Sequence, residues 1–273
     1  MNPAITSLWS AGRYYNQCIS VELTYRAGLL QVFFAETLAI YGVCLFWLQA
    51  AQGADATFGY GTSTLIAYFL IISLQEFTLV NRVGYHMSTE IRMGKMSASL
   101  VRPVPYLLLQ VARALAISST RIALMTPVIF AAFYLLPQLL AEPLAEFSDR
   151  WFLYVLALVL GIFMDIVAKM CLGMLAFSMT QTWGPELLFI SAYSTAAGIL
   201  YPVDLLPSFW LRLNQLLPFY YMQGFPALVF CGRVHGPAFW TEFFRGLIVL
   251  VGVTIVAITM WRRGQNKYEA VGI

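Results

Sequence analysis

Charge is scarce in this chain. Of its 273 residues 11% are Asp, Glu, Lys or Arg, whereas 60% are hydrophobic and the mean hydropathy is +0.74. That balance excludes a water-soluble globule, a disordered chain and a coiled coil. The 16 basic residues exceed the 13 acidic ones by a formal +3, too small and too dispersed an excess for a nucleic-acid partner. Histidine is limited to His86 and His235, far apart in the chain, and neither H-E-x-x-H nor G-x-S-x-G occurs, which argues against a zinc protease or a serine hydrolase. The four cysteines, Cys18, Cys44, Cys171 and Cys231, are widely spaced with no C-x-x-C. They read as small apolar side chains, and no metal site is expected. No phosphate-binding loop is present. The only Gly-Lys, Gly94-Lys95, is followed by Met96, and Thr89 stands where G-x-x-x-x-G-K needs its first glycine. Residues 1–17 have no continuous apolar core of the signal-peptide kind, so no cleaved leader is expected.

What the chain has is long apolar runs. About 20 helical residues cross a hydrocarbon core of about 30 Å. Six runs qualify, near 27–50, 62–82, 114–136, 151–179, 187–203 and 243–261. Before the first lies RYYNQCISVELTYR, from Arg13 to Arg26, whose tyrosines and arginines suit a helix in the membrane interface. With both termini inside, ten Lys and Arg fall on the cytoplasmic side and four outside, while Arg121 and Lys169 lie within spans. This satisfies the positive-inside rule, which the reverse topology would invert. The expected external segments agree: 51–61 has no basic residue, and 137–149 carries Glu142, Glu146 and Asp149. The seven tryptophans fall mostly at span ends, as interfacial anchors do.

Two segments depart from simple crossings. Between the second and third spans, 81–105 places Met87, Ile91, Ala98 and Val101 on one helical stripe, and Pro103 with Pro105 ends the run. A short amphipathic cytoplasmic helix is expected. Before the last span, 201–226 is cut by Pro202, Pro207, Pro218 and Pro226. Its 208–217 piece is about 15 Å long as a helix, too short to cross, so the segment reads as a re-entrant external hairpin. No internal repeat or soluble domain is apparent.

Charges within spans are expensive and each needs a reason. Asp165 and Lys169 are four residues apart on one face of span four, the spacing of a helical ion pair. Glu36 and Glu76, with Gln31 and Gln75 nearby, suit either helix packing or the lining of a substrate route. Arg121 is expected to snorkel to the cytoplasmic face or to pair with one of these acids.

The whole resembles the ABC-2 class of ABC-transporter permeases. The resemblance covers almost all of the chain and rests on two strings. The first, I-x-x-G-x-x-x-x-x-L-x-R-P, is met by Ile91, Gly94, Leu100, Arg102 and Pro103. The second, P-x-x-x-L-P followed by L-P-F, is met by Pro202, Leu206, Pro207, Leu217, Pro218 and Phe219.

The resemblance implies an all-α membrane protein, a single transmembrane domain over 1–273. It would have six transmembrane helices, an N-terminal interfacial helix, a cytoplasmic coupling helix and a re-entrant hairpin at Pro207 and Pro218. It implies a non-enzymatic export permease in the plasma (inner) membrane, dimerising with a second copy or a related permease. ATP and Mg would be held by separate ATPase subunits, with no cofactor on this chain. Coupling to the ATPase would fall to Met87, Glu90, Ile91, Arg92, Lys95 and Leu100, the apolar stripe seated on the ATPase and the charges at its rim. Glu36, Glu76, Arg121, Asp165 and Lys169 are the candidates for a translocation path. The competing reading is an ion-coupled secondary transporter that uses the intramembrane acids. The cargo is left open, the apolar interior favouring a hydrophobic or amphipathic molecule.

Overall fold

The computed structural model describes residues 3–52, 59–102, 104–135, 147–266 and 268. Among these residues 84% are helical and none is in a strand. Most of the expected external segments 51–61 and 137–149, together with Pro103, Lys267 and the side chains of Glu36 and Cys44, lie outside what is described.

The first helix, α1 (Pro3–Thr24), turns at Tyr25 into α2 (Arg26–Gln52). α1 begins earlier than the sequence suggested, and it docks on the chain as well as exposing Leu8, Trp9 and Val21. The Tyr15 and Ser119 hydroxyls meet at 2.6 Å. α3 (Thr62–Leu79) stops at a break, and α4 (Val83–Arg92) and α5 (Met96–Leu100) follow. α6 (Tyr106–Leu135) carries Pro127 inside it, and α7 (Phe147–Met174) ends in a 3₁₀ turn, Leu175–Phe177. Next come α8 (Trp183–Ala196), a 3₁₀ turn at Val203–Leu205 and α9 (Ser208–Asn214). A π-helical turn, Tyr220–Gly224, leads into α10 (Phe225–Phe230) and finally α11 (Gly236–Gln265).

Among the described residues five helical stretches are long and apolar enough to cross a membrane: Ala27–Gln49, Thr62–Arg92, Tyr106–Pro127, Asp149–Phe177 and Gly236–Gln265. The sixth expected span falls on α8, whose 14 residues extend only about 21 Å.

The broken segment before α11 has two unlike arms. Pro207 caps α9, which leaves Phe209 and Trp210 exposed. After Pro218 the chain turns inward, and every residue from Tyr220 to Phe230 is buried. Gly161 of α7 makes room for this arm, because a Cβ there would lie 2.7 Å from the Met222 carbonyl oxygen. On the same side of the molecule Asp204 accepts from the Tyr60 hydroxyl at 2.6 Å and from Arg233 Nε at 3.2 Å, and Arg233 lies over the Tyr60 ring. These contacts tie the start of α3 to the broken segment and to the turn before α11.

At the opposite end, Trp261 of α11 stacks on Tyr106 with ring centroids 5.2 Å apart. The Tyr268 hydroxyl reaches Ser97 of α5 at 3.0 Å. The core runs between these ends and is built from α3, α7, the π-helical turn and α10.

Candidate functional site

Helix α3 ends abruptly, and its last carbonyls therefore lack partners one turn ahead. Three of them are satisfied by side chains from other helices. Phe77 O accepts from Arg121 Nη1 at 3.1 Å, Thr78 O from Ser118 Oγ at 3.0 Å, and Leu79 O from Lys169 Nζ at 2.6 Å. Arg121 and Lys169 also bring positive charge to the negative end of the α3 dipole.

The break is continued by Asn81. Its Nδ2 donates to Asp165 at 2.7 Å, and its Oδ1 accepts from the Val83 amide at 3.2 Å, the first amide of α4. Arg82 between them has φ +51°, the one positive φ outside glycine among the described residues. That backbone region is costly for a side chain with a Cβ.

Asp165 is fully buried and pairs with Lys169 at 2.7 Å, as the spacing on span four predicts. The pair does more than neutralise itself, because Asp165 holds Asn81 and Lys169 holds Leu79. Arg121, expected to snorkel or to pair with a span acid, is buried. It pairs with Glu22 of α1 at 3.3 Å and lies 5.1 Å from the Phe77 ring centroid. Pairing and backbone bonds replace exposure as the way this charge is accommodated.

Below the break α4 is held tightly on α7. A Cβ at Gly84 would lie 2.5 Å from the Lys169 carbonyl oxygen, and one at Gly173 2.7 Å from the Gly84 carbonyl. Only two glycines allow the backbones to approach this closely. The apolar stripe faces the same way. Met87 is fully buried and Ile91 nearly so, against the expectation that both face a partner. Glu90 also departs from its expected rim position. It accepts from the Tyr106 hydroxyl at 2.7 Å and from Gln110 at 3.0 Å, with Arg113 at 3.6 Å, and so pins α4 to α6. The surface that stays open is formed by Arg92, Met93, Lys95, Leu100 and Val101, the last 87% exposed.

A second polar cluster lies higher on α3. Glu76 Oε2 accepts from the Tyr193 hydroxyl at 2.7 Å and from the Gln223 amide, which joins α3, α8 and the π-helical turn. π-helical turns recur at functional sites, where they re-aim a side chain. Two clefts meet at the break and share Arg82. One, about 540 Å³, lies between the α1–α2 elbow and α6 and includes Glu22, Gln31, His86 and Arg121. The other, about 440 Å³, runs between α2, α4, α7 and α8 and includes Glu76, Tyr85, Lys169, Glu186 and Tyr193.

Of the intramembrane candidates, Asp165 and Lys169 sit at the break with Arg121 alongside, and Glu76 lines the second cleft. The backbone of Glu36 lies on α2. Asn81, Ser118, Tyr193 and Gln223 were not singled out in the sequence. Only Asn81 carries a local signal, an amide side chain at the end of an apolar run and just before a new helix.

No curated protein and no solved structure matches the chain. Residues 23–272 match the family described as ABC-2 family transporter protein. A broken apolar helix braced by buried charges, at least four further apolar helices and a family match over nearly the whole length together make this chain a multi-pass membrane protein of the ABC-2 transporter family.

Proposed function

We propose that the chain is the permease subunit of an ATP-driven exporter, one transmembrane domain with no enzymatic activity of its own. Six crossings are formed by α2, α3, α6, α7, α8 and α11, with the short α8 completed by the re-entrant arm at Pro207 and Pro218. Both termini lie in the cytoplasm, in the plasma (inner) membrane. ATP and Mg belong to separate ATPase subunits, and this chain holds no cofactor.

The observation that carries this reading is the break at 80–82. It divides one long apolar stretch into an upper half that lines a cleft and a lower half locked to α7 by Gly84 and Gly173. A lower half fixed to another helix moves with it as a unit, while the break absorbs the change in angle. The ATPase docks on Arg92, Met93, Lys95, Leu100 and Val101, and Met87, Glu90 and Ile91 act behind them by fixing α4 to α7 and α6. The second cleft, closed by a second copy or a related permease, forms the translocation path. Along α2 the exposed Leu30, Phe34, Leu38, Tyr41 and Leu45 recur at helical spacing and supply an apolar face toward that copy. No observation favours the ion-coupled alternative, since Asp165 and Glu76 are both engaged within the chain.

The test is co-purification of the ATPase and transport-linked ATP hydrolysis in Met93→Glu and Val101→Glu permeases. Both variants are expected to fold and insert normally and to lose the ATPase. Retention of the ATPase and of coupled hydrolysis in both would refute the docking surface.

A further inference from the structure

The second cleft has a chemical character that narrows its cargo, provided that it is the translocation path. Its lining includes the apolar Leu172, Phe189, Ile190 and Ile199. Its flank α8 turns Leu187, Leu188 and Ile190 outward, so the cleft opens beside an apolar, lipid-compatible surface.

Its charges are of two kinds. Lys169 is engaged by Asp165 and Leu79, and Glu76 by Tyr193 and Gln223. Arg82 and Glu186 are different. Neither makes an ion pair among the described residues, although both line this one cleft, and Glu186 has only the Thr182 hydroxyl at 2.8 Å. Arg82 follows the end of α3, and Glu186 lies in the first turn of α8, both of which the proposed topology puts at the cytoplasmic face. Among the described residues the cleft thus presents one cation and one anion without an ion-pair partner, together with an apolar lining.

Arg82 is held there at a cost. A left-handed backbone is unfavourable for arginine, and glycine or asparagine would adopt it more readily. Strain of this kind tends to persist where it positions a side chain for use.

We propose that the cleft binds a zwitterionic amphiphile, its anionic group on Arg82, its cationic group on Glu186 and its apolar tail along Leu172, Phe189, Ile190 and Ile199. A purely anionic or purely cationic amphiphile would leave one of the two charges facing a like charge or nothing. A zwitterion without a tail would forgo the apolar wall. Tyr85 and Phe189 also line the cleft and offer aromatic faces for a quaternary ammonium.

The test uses the full-length permease in a non-ionic detergent and native mass spectrometry of bound adducts. Decylphosphocholine, decyl phosphate, decyltrimethylammonium and tail-free phosphocholine are compared at matched free concentrations. The wild type is expected to hold decylphosphocholine about tenfold more tightly than either singly charged amphiphile, the scale of one charge-assisted contact, and to show no adduct with phosphocholine.

Arg82→Gly suits the backbone and removes the cation, and Arg82→Asn repeats the test with a second side chain that tolerates this conformation. Either should erase the advantage over decyltrimethylammonium, and Glu186→Gln should erase the advantage over decyl phosphate. Equal binding of the three amphiphiles, unchanged in these variants, overturns the zwitterion assignment and leaves the path reading in place. Absence of saturable binding for every amphiphile overturns both.

Discussion

Lys169 donates to the Leu79 carbonyl at 2.6 Å while pairing with Asp165 at 2.7 Å. One ammonium therefore closes the end of α3 and neutralises the buried acid that holds Asn81, the residue starting α4. Without it, the Leu79 carbonyl keeps only the Asn81 amide at 2.8 Å, and the buried carboxylate keeps only Asn81 Nδ2 at 2.7 Å. The break in α3 is thus a built feature of the fold.

Asp165→Ala should lower stability by about 3–5 kcal/mol, because it strands the Lys169 charge and leaves Asn81 without its acceptor. Removing Lys169 as well should recover part of that loss. A deficit of up to about 1 kcal/mol is expected to remain, because the Leu79 carbonyl is left with the Asn81 amide alone. Thermal unfolding of the two single variants and the double variant in detergent checks this, and strict additivity would show that the pair is not coupled.

Gly173→Ala puts a methyl group 2.7 Å from the Gly84 carbonyl oxygen and from Met87 Cβ. A cost of about 1–3 kcal/mol is expected, the range for overpacking where the backbone has to shift. Gly12→Ala in α1 meets nothing within 4 Å and should be neutral or slightly stabilising. Comparing the two melting temperatures separates a close helix crossing from a general intolerance of alanine.

Ile91→Asp places a charge where the wild-type side chain is 6% exposed. It should reduce the yield of folded, inserted permease, and any lost ATPase binding follows from that. Val101→Asp, at an exposed site, should leave the yield unchanged. Size-exclusion profiles of the two variants read the difference, and a well-folded Ile91→Asp protein would contradict the inward orientation of α4.

Tyr193→Phe removes the hydroxyl that donates to Glu76 between α8 and α3. A loss of about 1.5–3 kcal/mol is expected, the range for a hydrogen bond to a charged group. Glu76→Gln keeps the shape and a weaker bond, so it should cost less. The order of the two melting temperatures is the check.

Burial raises the Cys18 thiol above its ordinary value, with Arg113 pulling the other way. The thiolate is the reactive form, so labelling falls as the pKa rises. Maleimide modification of Cys18 at pH 7.5 is expected to be slower than that of a cysteine introduced at the exposed Ser10, and to gain more from a rise in pH. Equal rates and equal pH dependence would place Cys18 in an open environment.

The sequence by itself determined the helical membrane class and the position of most apolar helices, because hydrocarbon thickness dictates how long an apolar run must be. It also identified the Asp165–Lys169 pair, since a spacing of four residues on one helix fixes the neighbours without reference to the rest of the fold. Pro207 marked the start of α9 for a local reason too, its fixed backbone angle, whereas the helix ends at Asn214, before Pro218 is reached. Tertiary structure decided the remainder. The stripe of Met87 and Ile91 has the same periodicity whether it faces a partner or the protein's own core, and the close approach of Gly84 to Gly173 turns it inward. Glu76, Tyr193 and Gln223 lie on three separate elements, and Arg121 reaches Glu22 across 99 positions of the chain. Contacts of that kind depend on how the helices pack, which hydropathy and spacing along a single chain do not encode.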